Sequence, residues 1–283
     1  CIRDSAGTAE NAAKSGVAAI LAKDSDEAIA KAKQLLSVLP ANNLETAGND
    51  YYMENDATVS ADLKGIELIS SVADKESVIE LYKQFGTSAV TAIGSLNWRT
   101  AGFVGTNNGA KLTADDSAKI ARFVTLCDAY SIPVVTFVDS EGFEKSSAAE
   151  LAGSIRDSAK LAQAYASATT AKIAVVTGKA YGSAYVALAS TAAGSDFTFA
   201  WEDAVIAPTT PEAAVVFLNG VSEDNAKQAQ EYAENEADAF TAAANGYVDR
   251  VITAEDTKSA LTSAIEAASS KRVVTPAKKH VNF

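Results

Sequence analysis

The sequence predicts an α/β fold with a largely parallel sheet, because one succession of elements occurs twice. The apolar run Val134–Val138 is typical of a buried strand, turns through Gly142 and continues into a helix. Ile173–Thr177 is a second such run, and it turns through Gly182 into another helix. Strands that alternate with helices in this way form βαβ units. Ligands of such sheets bind beyond the carboxyl ends of the strands, where both glycine turns lie.

Length and charge limit the classes of protein that fit. The chain has 283 residues, 48% hydrophobic and 21% charged, which suffices for a large core in one or two domains. Its net charge of −12 argues against non-specific binding to nucleic acid or to an anionic membrane. No apolar run approaches the roughly 18 residues of a membrane span. Two distant cysteines match neither a disulfide framework nor a zinc site, so we expect no metal and a cytoplasmic location.

The start of the chain is predicted to be a helix followed by a linker. Ser25–Leu39 has apolar residues on one face, with Ser25 as the candidate N-cap and Pro40 as the residue that ends the helix. Ala41–Asp62 is polar and rich in turn residues, which makes it the best candidate domain boundary. Two strands are predicted after it, at 89–93 and 101–105.

Residues 1–5 have an unusual composition. Cys1–Ser5 is what TGT-ATA-AGA-GAC-AGC would encode, and most of this string is a transposase adapter end used in DNA library preparation. We interpret these residues as a sequencing scar and exclude them from fold reasoning. On this hypothesis the natural gene extends upstream.

The later helices are predicted from apolar periodicity and capping residues. They are Thr113–Tyr130, which places Cys127 in the core, Ser147–Ala168, Ser222–Asn245, and a last helix after a capping box of Thr253 and Asp256.

The candidate site is the turn Gly178–Ser183, between a strand that ends at Thr177 and a helix over 184–190. A strand that turns sharply into a helix leaves free backbone N–H groups at the helix start, and these favour negative charge. Two donors from adjacent turns are what an enolate or a tetrahedral oxyanion needs. The alternative is a corner whose glycines only permit the bend.

Side-chain chemistry is a weaker interpretation of the same stretch. A nucleophilic Ser183 would need a base, but the one histidine is His280 in the tail, and Ala180 breaks the G-x-S-x-G pattern. Paired carboxylates such as Asp115 and Asp116 lie at helix starts, where capping explains them. The remaining chemistry is stabilisation of an enolate by backbone donors.

Several stretches resemble biotin-dependent acyl-CoA carboxyltransferases. Asp128–Phe143, DAYSIPVVTFVDSEGF, is similar to the family's CDAFNIPLVTLVDVPGF. Thr177–Tyr185 resembles TRKAYGGAY, and Phe199–Trp201 resembles YAW. Ala159–Thr169 and Pro276–His280 also look like family segments. The motifs occur in the family's order and cover about residues 15–280, which makes the match specific.

The resemblance implies a crotonase-like spiral of ββα units and a transfer of CO2 between carboxybiotin and the α carbon of an acyl-CoA. Biotin would be bound to a separate carboxyl carrier protein, and the coenzyme A thioester would be the substrate. Family members combine two such halves and assemble into trimers or hexamers. Residues 63–283 would be the C-terminal, biotin-side domain, and residues 6–62 the end of the N-terminal half with its linker.

The resemblance also implies roles for single residues. The backbone donors that polarise the biotin ureido oxygen would be Gly142 or Phe143 and Ser183 or Ala184. The biotin pocket would be lined by Tyr181, Gly182, Tyr185 and Val186.

Some residues depart from the family pattern and bear on the substrate. Ser183 replaces a glycine, Asp157 stands where histidine is common, Glu202 replaces a proline, and Glu144–Ser146 replaces Leu-Pro-Gly. Val186 stands where many acyl-CoA carboxylases have aspartate. The departures favour a decarboxylase-like branch acting on a malonyl-type or glutaconyl-type CoA.

Two other functions remain open on the sequence. One is a crotonase-type hydratase or isomerase without biotin, for which Glu141 is the carboxylate best placed to act as acid or base. The other is a non-catalytic scaffold subunit that only docks a biotin carrier.

Overall fold

A computed structural model describes residues 5–42, 45, 53–106 and 109–274. Within this part of the chain the strands form one mixed sheet in the order β1-β2-β3-β4-β5-β6-β8, with β7 paired to the end of β5. The β1–β2 and β2–β3 pairs are antiparallel, and the later pairs are parallel. The strands are β1 Ile79–Leu81, β2 Ala89–Leu96, β3 Arg99–Thr106, β4 Val134–Ser140, β5 Lys172–Tyr181, β6 Phe197–Trp201, β7 Val205–Ala207 and β8 Arg250–Ile252.

Helices cover both faces of this sheet, as the alternation of strands and helices predicts. The described helices are α1 Ala9–Lys14, α2 Ser25–Val38, α3 Gly65–Val72, α4 Ala114–Ala129, α5 Ser147–Ala152, α6 Ser154–Ser167, α7 Gly182–Leu188, α8 Pro211–Asn219, α9 Asn225–Asn235, α10 Ala239–Ala244 and α11 Thr257–Ala267. Residues of α4 and α6 share one buried cluster with the strands, and residues of α3 and α11 share a second one. The predicted α/β class with a largely parallel sheet is confirmed.

Two predicted helices are each interrupted. The helix predicted over 147–168 breaks at Gly153, whose φ of 99° lies in the left-handed region. The helix predicted over 222–245 breaks before Asp238, whose carboxylate accepts hydrogen bonds from the N–H groups of Phe240 and Thr241. In both places a local cap competes with continuation of the helix and wins.

Helix caps account for two further differences from the prediction. Asp24, and not Ser25, caps α2, with Oδ1 2.8 Å from the Glu27 nitrogen. At α11 only half of the predicted box forms, because Asp256 N–H donates to the Thr253 hydroxyl without a reciprocal bond. At α4 Thr113 caps the start of the predicted helix, and the Asp116 carboxylate completes a capping box that was not predicted.

The apolar face of α2 is only partly buried. Leu35 and Leu39 pack against the core, whereas Ile29 and Leu36 are 54% and 70% exposed. The apolar face predicted for this helix is therefore divided between residues that contact the core and residues that are exposed. Cys127, by contrast, is fully buried on α4, as predicted.

Strand β5 is longer than predicted, and this moves the turn. The strand runs to Tyr181, through Gly178, so the predicted turn at 178–183 contracts to the junction of Tyr181 and Gly182. Glycine is required at position 178 because the Asp139 side chain packs closely against it, and not because the chain bends there. A Cβ atom there would lie 2.5 Å from Oδ1 of Asp139.

Two lysines are buried in the core with their ammonium groups bound to backbone carbonyls. Lys119 donates to Gly86 and Ala89, with N–O distances of 3.2 and 2.7 Å, and Lys172 donates to Tyr165 and Ala168. Burial lowers the pKa of each from 10.5 to about 8. Folding therefore costs free energy while these groups are charged.

We expect the free energy of unfolding to rise by roughly 0.5–1 kcal/mol per lysine between pH 7.5 and 8.5. In this window the unfolded chain keeps both protons, whereas the folded chain, with a lysine pKa of about 8, is losing them. Urea unfolding at the two pH values measures the rise, which Lys119→Met should reduce by about half. The window stays below pH 9, above which the opposite effect of Cys127 becomes large, because burial raises the pKa of its thiol and only the unfolded chain then loses that proton. Equal stability at both pH values would contradict the prediction.

Candidate active site

Two turns meet at the carboxyl edge of the sheet, after strands β4 and β5. We define the first turn as residues 139–143 and the second turn as residues 181–184. A Cβ atom built on Gly142, whose φ is 111°, would lie 3.8 Å from the carbonyl oxygen of Tyr181. The ladder between the two strands also shifts register here, between Val138 and Ser140. The structure thus brings together the two turns that the sequence predicted to be adjacent.

In the first turn, one of the two candidate amides is already used. The Gly142 N–H donates to Oγ of Ser140, at 3.2 Å. The Gly142 carbonyl accepts from Leu112, and the Leu112 carbonyl accepts from Glu144, both at 2.9 Å. This pattern skips Phe143, whose N–H donates to no residue in the described part of the chain. Phe143 therefore carries the available donor of this turn.

The second turn supplies donors from the start of α7. Its N-cap residue Tyr181 makes no side-chain capping bond. The N–H groups of Ser183 and Ala184 lie in the first helical turn, where no intrahelical acceptor exists, and neither donates to another described residue. Gly182 is required for close approach, because a Cβ atom there would be 3.0 Å from the Pro208 carbonyl oxygen.

The side chains around the second turn differ in exposure. Tyr181 is buried, and burial raises the pKa of its hydroxyl. Tyr185 donates its hydroxyl to the Tyr247 carbonyl at 2.6 Å, and burial raises its pKa to about 12. Both phenols therefore stay protonated at neutral pH. Ser183 is exposed and Val186 is 50% exposed, so both are accessible beside the amide donors.

Charged residues surround the two turns, and among them the sequence predicted a role only for Glu141. The Asp139 carboxylate is nearly buried and accepts the Lys179 N–H at 3.0 Å. Lys64 lies 3.7 Å from the same carboxylate and over the ring of Trp201. Lys179 forms an ion pair with Glu141, at 2.7 Å. A signal existed for the first contact, since Asp139 and Lys179 follow neighbouring predicted strands.

Other sequence candidates are not part of this arrangement. Burial raises the pKa of the Cys127 thiol, which remains a core group. Among the described residues no group of three His, Cys, Asp or Glu side chains could hold a metal ion. His280 and residues 1–4 lie outside the described residues, as do most of 43–52 and residues 107–108. The helices described here include none that is long and apolar enough to cross a membrane.

Comparison with known proteins identifies the family. The model of the carboxyl transferase domain matches residues 3–283. The chain belongs to this family. The family resemblance inferred from the motifs is therefore confirmed.

Relatives in this family match nearly the whole chain. It is 36% identical, over 99% of its length, to the methylmalonyl-CoA carboxyltransferase 12S subunit of Propionibacterium freudenreichii subsp. shermanii. It is 33% identical, also over 99%, to the alpha subunit of methylmalonyl-CoA decarboxylase from Veillonella parvula. In both cases the chain spans 58% of the relative's length.

The carboxyl transferase fold is also found by structural comparison. The crystal structure of the transcarboxylase 12S hexamer, with methylmalonyl-coenzyme A and methylmalonic acid bound, superposes with a TM-score of 0.87 at 34% identity. The superposition covers 100% of this chain and 60% of the 12S chain. The crotonase-like fold predicted from the resemblance is thus confirmed.

One departure from the family pattern has a structural explanation. Asp157, where histidine is common, is buried at the start of α6 and binds Arg156 at 2.8 Å and Lys160 at 3.2 Å. The hydrogen bond from Arg156 lowers the pKa of the Asp157 carboxyl, so it remains ionised at neutral pH. Asp157 is therefore part of an ion-pair network in α6.

Proposed function

We propose that this chain is the biotin-side carboxyltransferase domain of a biotin-dependent acyl-CoA carboxylase or decarboxylase. The observation that carries the proposal is the pair of adjoining turns with N–H donors that no other described residue uses, in a chain of the carboxyl transferase family. Methylmalonyl-CoA enzymes are among its relatives, which supports an acyl-CoA substrate carboxylated at the α carbon.

The chain's own contribution is to bind and polarise one oxygen atom. Phe143 N–H from the first turn and Ser183 or Ala184 N–H from the second donate to the same acceptor oxygen. Preorganised donors of this kind stabilise negative charge as it develops, and they cost no reorganisation during the reaction. The start of α7 adds its partial positive charge, which acts within the first helical turn.

The residues present fit biotin on a carrier domain. Its ureido group offers a carbonyl oxygen as acceptor, which matches the donors at Phe143 and in α7 that no other described residue uses. Gly142 leaves open space beside the donors, since among the described residues a Cβ atom there would meet only the Tyr181 carbonyl oxygen within 4 Å. Tyr181, Gly182, Tyr185 and Val186 would line this site. Biotin supplies the carboxyl carrier, and the described residues position it.

We further propose that residues 6–62 are the end of an N-terminal half, followed by a linker, and that 63–283 form the biotin-side domain. The N-terminal half would hold the acyl-CoA. The exposed Ile29 and Leu36 on α2 agree with a helix that has a partner elsewhere in the complete protein. Assembly into trimers or hexamers would bring the two halves together.

The test is transfer of label from carboxyl-labelled methylmalonyl-CoA or malonyl-CoA to a biotinylated carrier domain. The chain is assayed alone and mixed with the part of the Propionibacterium 12S subunit that it does not match. We expect label on the carrier in the mixture, because the N-terminal half would hold the acyl-CoA. Excess avidin should abolish this labelling completely.

The same assay separates the rival functions. Hydration of an enoyl-CoA that avidin leaves unchanged would favour the hydratase. Binding of the carrier without transfer, both by the chain alone and in the mixture, would favour the scaffold subunit. In the structure Glu141, the carboxylate on which the hydratase depends, is held by Lys179.

A further inference from the structure

An ion pair joins the first turn to the end of strand β5, just before the second turn. Nζ of Lys179 lies 2.7 Å from Oε1 of Glu141, although the residues are 38 positions apart. Glu141 precedes Gly142 of the first turn, and Lys179 lies two residues before Tyr181 of the second. Their side chains are 33% and 48% exposed. The hydrogen bond to Glu141 raises the pKa of Lys179, so the ammonium group is charged at neutral pH.

The backbone around the pair is fixed from three sides. The Lys179 N–H donates to Oδ1 of Asp139 at 3.0 Å. Gly109 N–H donates to the Asp139 carbonyl at 3.0 Å, and Glu141 N–H donates to the Gly109 carbonyl at 3.2 Å. The stem of Lys179 passes over Gly109, where a Cβ atom would be 3.3 Å from Cδ. The ion pair therefore connects two backbone segments that lie close together and that other hydrogen bonds already hold in place.

We propose that the Lys179–Glu141 ion pair is a positioning device that fixes the spacing between the Phe143 donor and the α7 donors. Its effect on turnover rests on the proposed function. Two donors act on one oxygen only if their separation is held to a fraction of an ångström, and small misplacements are costly in rate. A pair that ties the first turn to the end of β5, from which the second turn starts, restrains that separation.

The geometry assigns Glu141 this role in preference to proton transfer. A general acid or base must reach the reacting group and exchange a proton with it. Here Oε1 of Glu141 accepts a hydrogen bond from the Lys179 ammonium at 2.7 Å, so the carboxylate is turned toward Lys179. Lys179 and Glu141 are positioning residues on this assignment.

Amide hydrogen exchange tests the positioning without any need for activity. The variants are Glu141→Gln, Lys179→Met, the double variant, and Lys179→Arg, which keeps the charge. We expect peptides that contain residues 141–144 and 181–185 to exchange about two- to fivefold faster in the first three variants, the range for losing an exposed ion pair. The double variant should equal either single variant, and Lys179→Arg should match the parent.

The control is Glu10→Gln. Glu10 and Lys14 form another exposed ion pair with the same 2.7 Å separation, on α1. Its removal should leave exchange at both turns unchanged. Parent-like exchange in Glu141→Gln, or additive changes in the double variant, would overturn the proposal.

Kinetics then distinguish positioning from acid–base chemistry. If the parent transfers carboxyl groups, we expect Glu141→Gln and Lys179→Met to lower kcat alike, by about tenfold, with KM for the acyl-CoA unchanged. A far larger loss in Glu141→Gln alone, with a missing limb of the pH–rate profile, would instead make Glu141 an acid or base. If the parent shows no transfer but the exchange pattern holds, the proposed function fails and the positioning stands.

Discussion

Replacing the backbone N–H of Phe143 by an ester oxygen is expected to lower kcat for carboxyl transfer by about 10²–10³-fold, the usual cost of losing one oxyanion donor. Phenyllactate at position 143 makes this change and keeps the aromatic side chain. Because the Phe143 N–H donates to no described residue, the ester should leave stability nearly unchanged. Steady-state kinetics and urea unfolding of the same sample measure both effects.

Phenyllactate at position 240 is the matched control. The Phe240 N–H donates to Oδ1 of Asp238, at 2.9 Å, in the cap of α10. That ester should weaken a helix cap by about 1 kcal/mol and leave kcat unchanged. Parent-like kcat at position 143, or equal losses at both positions, would remove Phe143 from the donor set. Proline at Gly142 is a poorer test, because its fixed φ of about −65° cannot replace the 111° found there.

Gly102→Ala is expected to destabilise the fold by about 1–3 kcal/mol, the range for overpacking a core. A Cβ atom on Gly102 would be 2.5 Å from Sγ of Cys127 and 3.2 Å from the Phe123 ring, and both side chains are fully buried. Strand β3 therefore approaches α4 too closely for any side chain at this position. Urea unfolding monitored by circular dichroism gives the change in free energy.

The second substitution shows whether the thiol is the cause. Cys127→Ala removes the sulfur that the new methyl group would contact, so the double variant should recover most of the loss. Cys127→Ala alone should cost stability through the cavity that it leaves. A double variant that is no more stable than Gly102→Ala would assign the strain to Phe123 or to the backbone.

Elements with a strong local pattern were predictable from the sequence. The α4 helix carries the capping residue Thr113 and a regular apolar face, and both appear in the structure. Strands β4 and β5 were recognised because buried parallel strands are continuous apolar runs. The adjacency of the two glycine turns followed from the parallel order of these strands.

Breaks and extensions were less predictable, because tertiary contacts decide them. Gly178 looked like a turn residue, yet β5 continues through it, since the glycine makes room for the Asp139 carboxylate. Gly153 lay inside a helical pattern but adopts a left-handed conformation that ends α5. Neither outcome can be derived from neighbouring residues alone.

The candidate site was predictable as a pair of turns and not as a set of atoms. The choice of Phe143 over Gly142 depends on Ser140, whose hydroxyl uses the Gly142 N–H. It also depends on Leu112, which forms backbone hydrogen bonds with the residues before and after Phe143, Gly142 and Glu144, and with neither backbone group of Phe143. The contact between Lys179 and Glu141 could not be predicted, because it depends on where strands β4 and β5 end relative to each other.

The N–H groups of Phe143, Ser183 and Ala184, which donate to no other described residue, have a consequence for resistance to inhibitors. Every amino acid except proline presents the same N–H at a given backbone position. An inhibitor whose affinity comes from these three groups would meet unchanged hydrogen-bond donors in almost every single-codon escape variant. Escape would have to come from side chains that block entry, and exposed Ser183 and Val186 are placed to do so.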